Sequence, residues 1–284
     1  MTTRNTSLPP GSDVPQVSAP DVPSLSAVAD GNGDNSRHFV VIADRFAPFA
    51  DGERVLTMSG LLVQVALESL DDPGQPWTIH VGQGIDHSDW RILESACHVR
   101  GTPIERVGGR AFSGGPQVSP DVVHKQRPEN VLLSDIRHLS RGYCAADLCI
   151  HRNNELVMDH CTGEHVQGMV ILEAMRQICI AQFETGYRPE LPAFEYSGVW
   201  KRIDLSFQDF LFALPATVTA EVTFQDLSRL TNLKFGAHAS VCQNGNVVAS
   251  AEIEYAMIKH ERLASMEHAR ATRASRNYLE GFAG

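Results

Sequence analysis

The chain has 284 residues, of which 43% are hydrophobic and 20% are charged, and its formal net charge is −10. Length and composition are ordinary for a globular protein with two modest cores. The acidic balance argues against nucleic acid as the main partner, because phosphates would repel such a chain. No apolar run reaches about 18 residues and no secretory signal is evident, so we expect no membrane partner and a cytoplasmic location.

The six cysteines include no C-x-x-C pair, and the twelve histidines show no spacing typical of zinc ligands. The sequence therefore predicts no metal site, and it offers no clear cofactor motif. We expect most of the cysteines to be buried thiols.

The first half of the chain divides into a tail and a small domain. Residues 1–37 are rich in Pro, Ser, Asp, Gly and Asn without hydrophobic periodicity, which predicts a disordered N-terminal tail. Residues 38–107 then predict a small α/β domain of order β-α-β-α-β and unknown role. Its predicted strands are 38–43, 77–81 and 104–107, and its predicted helices are 58–70 and 89–99.

Two glycines follow the second predicted strand. Gly82-Gln83-Gly84 resembles the opening of a dinucleotide-binding loop, but His87 stands where the third glycine would be. A weak nucleotide site and a plain structural or docking role are both open interpretations. A Gly/Pro/Ser-rich linker, 108–120, follows.

The second half, 121–260, has the pattern of a sheet and one buried helix. Apolar residues alternate over 217–224, 234–241 and 247–257, and the Asn244-Gly245 turn joins the last two strands as a hairpin. Their apolar face needs a partner, and the helix at 166–183 is the suitable one. This predicts an α+β domain, followed at 261–284 by a surface helix or tail.

That helix carries a polar cluster. It is apolar on every side, yet at about 100° per residue Glu173, Arg176 and Gln177 fall within one narrow arc. A buried carboxylate must be paired, shift its pKa or face a cleft. Glu173 and Arg176 can simply pair at i, i+3. The functional alternative is an active site, because His160 and Gly163 lie just upstream and deliver an imidazole to the start of the helix.

Two resemblances follow from these residues. His160, Gly163, Gly168 and the Glu-Ala-Met at 173–175 resemble, in order, the hotdog fold of the 3-hydroxyacyl-thioester dehydratases, although the interval from His160 to Glu173 is one residue shorter than in that pattern. A second resemblance fits better. Val123-His124-Lys125, the segment 129–135 and Glu173-x-x-Arg176-Gln177 are similar to the A-factor biosynthesis hotdog family, the γ-butyrolactone and butenolide signal synthases.

The second resemblance implies a fold, a reaction and partners. It implies a hotdog fold, an antiparallel sheet wrapped around a central helix, over roughly residues 120–260. It implies transfer of a 3-oxoacyl chain from an acyl carrier protein or CoA thioester to a small phosphorylated acceptor, dihydroxyacetone phosphate. Typical members carry two hotdog repeats, whereas this chain shows one set of motifs. We therefore expect a homodimer, or else an α/β domain that covers the free sheet edge.

The same resemblance implies roles for individual residues. Glu173 would be the general acid/base, His160 would assist or orient, and Arg176 would bind a phosphate or fix the carboxylate. The expected substrate-binding residues are His124, Lys125, Arg127, Gly168 and Gln177.

Within that set, Lys125 and Arg127 would contact a phosphate, Gly168 would allow close approach of the thioester, and Gln177 would hold the network. The acyl chain would lie near Met169 and Met175.

Three functions stay open from the sequence. The first is acyl transfer in the biosynthesis of a butyrolactone-like or butenolide-like signal or of another secondary metabolite. The second is a hotdog dehydratase or thioesterase. The third is a non-catalytic acyl-binding or regulatory module, in which Glu173 and Arg176 form a buried pair.

Overall fold

The computed structural model describes residues 37–67, 76–107, 117–158 and 163–282. The predicted tail lies outside the described residues except for Arg37. His160 and most of the predicted linker also lie outside them.

Four parallel strands form the sheet of the α/β unit, in the order β2-β1-β3-β4. The strands are β1 (Arg37–Ile42), β2 (Val55–Thr57), β3 (Trp77–Val81) and β4 (Ile104–Val107), and the helices are α1 (Met58–Leu67) and α2 (His87–Arg100). Sequence periodicity missed β2, because three residues are too few to show alternation. Helix α2 begins at a capping box, in which Asp86 and Asp89 exchange side-chain and backbone hydrogen bonds.

The second unit is an antiparallel sheet of six strands, in the order β5-β6-β8-β9-β10-β7. The strands are β5 (Leu133–Ser140), β6 (Tyr143–Leu148), β7 (Tyr196–Phe207), β8 (Thr217–Asp226), β9 (Asn232–Gln243) and β10 (Asn246–Lys259). The helices are α3 (Glu155–Met158), α4 (Gly168–Gln182) and α5 (His260–Glu280), and a single π-helical turn at Phe183–Tyr187 continues α4.

The sheet wraps around α4, as predicted. Helix α4 is buried along most of its length because its apolar side chains point in every direction. Ile253, Tyr255 and Met257 of β10 are buried on the face of the sheet that shares its core with α4. The β9–β10 hairpin turns at Asn244 (φ 52°) and Gly245 (φ 79°), the left-handed pair that a tight two-residue hairpin needs. The predicted hotdog architecture is confirmed.

Sequence periodicity missed three strands of this sheet, namely β5, β6 and β7. β5 and β7 are the edge strands, and their mixed polar and apolar residues give no clean alternation.

The predicted linker also needs a correction. Gln117 bridges to Ser134 and Val118 is buried in the hotdog core, so residues 117–120 already belong to the second unit.

Gln83 joins the two sheets. Its buried side chain donates to the carbonyl oxygens of Leu148 and Leu214 at 3.2 and 3.0 Å and accepts from the Ile150 N–H at 2.8 Å. The backbone of Gly82 lies so close that an added Cβ would be 2.6 Å from the Ala213 carbonyl oxygen. Gly82 and Gln83 thus contact the second unit, whereas Gly84 lies against Ala43 and Phe46 of its own unit.

No helix in the described ranges is both long and apolar enough to cross a membrane. Among these same residues, no group of three His, Cys, Asp or Glu side chains comes together as a metal site.

Candidate active site

Glu173 lies in the second turn of α4 and is surrounded by donors. Arg176 binds both of its carboxylate oxygens, with Nε to Oε2 and Nη2 to Oε1 both at 2.8 Å. Lys125 Nζ lies 2.7 Å from Oε1, and Gln177 Nε2 donates to the same oxygen at 3.0 Å. The side chains of Glu173, Arg176 and Lys125 keep 16%, 25% and 26% of their exposure, so this Glu173 centre remains accessible from solvent.

Two opposing effects act on the pKa of Glu173. Burial of the carboxyl group raises the pKa, but the hydrogen bonds and charge of Arg176, with Lys125 and Gln177, outweigh burial and lower it below its ordinary value. Glu173 is therefore ionised near neutral pH. In this arrangement it is a carboxylate anchored by two cations rather than a proton donor.

Gln177 fixes the centre to the neighbouring backbone. Its side chain is fully buried. Its Oε1 accepts from the Leu132 N–H at 2.8 Å, while Nε2 donates to the Asn130 carbonyl oxygen at 2.8 Å as well as to Glu173. The segment 130–132 belongs to the sequence motif at 129–135, so the fold brings two separate motifs into direct contact.

His124 contacts the π-helical turn that continues α4. Its backbone is left-handed (φ 53°), and its Nε2 is 2.9 Å from Oε1 of Glu184 in the π-helical turn. Glu184 is 11 residues beyond Glu173, or about 16 Å along the helix axis at about 1.5 Å per residue. His124 and its chain neighbour Lys125 therefore contact two different carboxylates, Glu184 and Glu173.

Sequence reasoning missed Glu184. A signal was present, because a spacing of 11 residues returns a helix to nearly the same face at about 100° per residue. Thr185 is the next residue, and its Oγ1 is 2.8 Å from Nε2 of His138. The π-helical turn therefore contacts two histidines, His124 and His138. π-Helical turns are frequent at functional positions.

Arg127 is not brought to Glu173. It is largely exposed, and its Nη1 pairs with Oε1 of Glu155 on α3 at 2.5 Å. Glu155 Oε2 in turn accepts from Asn130 Nδ2 at 2.7 Å. Arg127 is therefore linked to Gln177 through Glu155 and Asn130.

Gly168 is the first residue of α4 and is covered by an aromatic ring. A Cβ added there would lie 2.9 Å from the Phe207 ring, so a larger residue would displace this ring. Of the two methionines expected near an acyl chain, Met175 is fully buried in the core, whereas Met169 is 54% exposed. Phe207 is also exposed. Met169 and Phe207 are therefore part of the accessible apolar surface at this end of the helix.

The comparison with known families agrees with this architecture. A model of the A-factor biosynthesis hotdog domain matches residues 115–259, a little over half of the chain. The chain belongs to the A-factor biosynthesis hotdog family. The match includes the motif residues at 123–135, those at 173–177 and the whole six-stranded sheet. A search of curated proteins found no match.

Solved structures similar to this A-factor-family chain are distant. A phenylacetic acid degradation-related protein from Ralstonia eutropha is 18% identical, with 44% of this chain and 83% of that chain covered and a TM-score of 0.33. A hypothetical thioesterase protein from Streptococcus pneumoniae, solved with coenzyme A, is 13% identical, with coverages of 44% and 85% and a TM-score of 0.32. A mutant thioesterase from Pseudomonas aeruginosa is 11% identical, with coverages of 49% and 84% and a TM-score of 0.33. Likenesses this distant carry no argument about activity.

Proposed function

We propose that the chain is an acyltransferase that joins a 3-oxoacyl chain, delivered as a carrier-protein or CoA thioester, to a small phosphorylated acceptor such as dihydroxyacetone phosphate. Family membership supports acyl-thioester chemistry. The observation that carries the proposal is the convergence of Lys125 and Arg176 on the half-buried carboxylate of Glu173. Such a centre offers a cation, Lys125, for a phosphate, and a base, Glu173, for a hydroxyl group.

The acceptor would activate the base. Lys125 reaches Glu173 from a separate segment of the chain and is partly exposed, so an arriving phosphate competes with Glu173 for its ammonium group. When Lys125 moves to the phosphate, Glu173 loses one of its two cations and its pKa rises. The carboxylate then becomes a better base at the moment when the acceptor hydroxyl is present.

The bond changes follow from this arrangement. Glu173 takes the proton of the acceptor hydroxyl, and the oxygen attacks the thioester carbonyl carbon. The carbon–sulfur bond breaks as the ester bond forms, and the leaving thiolate takes the proton back from Glu173, which regenerates the carboxylate. Arg176 stays on Glu173 and holds its orientation, while Gln177 keeps the carboxylate aligned with the 130–132 backbone.

The edge strand β7 supports a homodimer in this proposal. It is 12 residues long and pairs on one side with β10, and it ends the sheet on the other. A long edge strand favours pairing with a second strand. In the described residues, the hydrogen bonds between the α/β unit and the hotdog domain involve 148–158 and 213–214, none of which is in β7. Mass measurement in solution tests the dimer, and a monomer at micromolar concentration would contradict it.

The reaction is tested by mass spectrometry of a 3-oxoacyl thioester incubated with the full chain, with and without dihydroxyacetone phosphate. We expect an acylated acceptor only when the acceptor is present. Glu173→Gln should lower turnover by about 10²–10⁴, the usual loss when a positioned base is removed. Unchanged turnover in Glu173→Gln would rule out the assigned role, and chain release without acceptor would indicate a thioesterase.

One observation favours a second candidate function. Glu173 is already bound by Arg176, Lys125 and Gln177, as expected if the cluster is a structural ion pair in a non-catalytic acyl-binding module. Binding of the thioester without any product, under the same conditions, would support this alternative.

A further inference from the structure

The α/β unit contacts the hotdog domain through charged side chains as well as through Gln83. Arg152, in the loop after β6, places Nη1 2.7 Å from Oδ1 of Asp89 and Nη2 2.8 Å from Oδ2 of Asp86. Both aspartates belong to the capping box of α2, and the Asp89 side chain is only 9% exposed. The loop after β6 is therefore tied to a rigid helix start in the other unit.

Arg45 makes a further contact, at the other end of that loop. It follows β1 in the α/β unit, and its Nη2 donates to the carbonyl oxygen of Val157 at 2.9 Å and to that of Met158. These are the last two carbonyls of α3, a helix of only four residues. A helix this short has little stability of its own, so its position depends on such contacts.

The start of helix α3 in turn forms hydrogen bonds with residues 129–130, the segment that contacts Gln177. The N–H of Glu155 donates to Oδ1 of Asn130 at 3.0 Å, and Asn130 Nδ2 donates back to Glu155 Oε2 at 2.7 Å. Asn154 Nδ2 donates to the Glu129 carbonyl oxygen at 3.0 Å. Asn130 offers its own carbonyl oxygen to Gln177, whose amide also donates to Glu173.

These contacts form one connected path from the α/β unit to the Glu173 centre. We infer that the α/β unit positions this centre and that Arg45 is its positioning residue. By holding α3, Arg45 keeps the 129–132 backbone in place against Gln177, which sets the orientation of the Glu173 carboxylate. The effect on turnover rests on the proposed function, whereas the effect on the backbone does not.

Hydrogen–deuterium exchange on the full chain tests the positioning directly. Arg45→Ala should speed exchange at the amides of 129–132 and 155–158 by about threefold to tenfold, the factor expected for loss of one hydrogen bond. Exchange in β9 should stay unchanged. Arg45→Lys, which keeps a cationic donor, should restore most of the protection. Arg54→Ala, at an exposed arginine of the same unit, is the matched control and should resemble the wild type.

The kinetic arm uses the acyl-transfer assay. Arg45→Ala should lower kcat by about tenfold with little change in KM for the acceptor, and Arg45→Lys should recover most of the rate, because a misplaced base slows the chemical step. Unchanged exchange at 129–132 in Arg45→Ala, or an equal change in Arg54→Ala, would overturn the inference. If the wild type shows no turnover, the proposed function fails and the exchange result still decides the positioning.

Discussion

Replacement of Gln177 by leucine tests how strongly the motif at 129–135 is held to the central helix. Gln177 is fully buried and satisfies the Leu132 N–H and the Asn130 carbonyl oxygen. Leucine has a similar volume but satisfies neither group. An orphaned buried polar group costs about 1–3 kcal/mol. Leu132 is fully buried and Asn130 only partly, so we expect the free energy of unfolding to fall by about 2–4 kcal/mol.

Urea unfolding followed by far-ultraviolet circular dichroism near neutral pH measures this change. The matched control is Gln225→Leu, at an exposed position of β8, which should change stability by no more than about 0.5 kcal/mol. A loss below about 1 kcal/mol in Gln177→Leu would refute the reasoning, because it would mean that the two backbone groups find other partners.

Three further outcomes are expected. Lys125→Met should lose stability near neutral pH but not in strong acid. The lowered pKa of Glu173 stabilises the fold at pH values above 4.5, the ordinary pKa of this carboxyl group, and this contribution disappears as the pH falls through the folded pKa. Unfolding curves in acid and at neutral pH measure the two losses, and equal losses at both pH values would contradict the prediction. Gly82→Ala should cost about 1–3 kcal/mol by urea unfolding, whereas Gly198→Ala, where the nearest atom is 3.4 Å from the added Cβ, should be nearly neutral. Burial raises the pKa of the Cys144 and Cys149 thiols to about 12, so neither should be alkylated by iodoacetamide in the native protein, and a mass adduct at either would disprove this.

The elements predicted best are those with a strong local pattern. The strands at 77–81 and 104–107 have the predicted bounds, and the Asn244-Gly245 turn adopts the left-handed conformations that its residues favour. The strands that periodicity missed lie mostly at the sheet edges, where one side of the backbone and many side chains meet solvent. Alternation there is weak because burial does not select the residue at every second position.

Local sequence is enough to predict the buried helix and the common face of Glu173, Arg176 and Gln177, because spacings of three and four residues are fixed by helix geometry alone. The groups from distant segments that meet this face are known only from the folded chain. It brings Lys125 to Glu173, directs His124 to Glu184 instead, buries Met175 in the core, and connects the α/β unit to α3 through Arg45. These partners are set by how segments far apart in the chain pack together, and local periodicity carries no information about that packing.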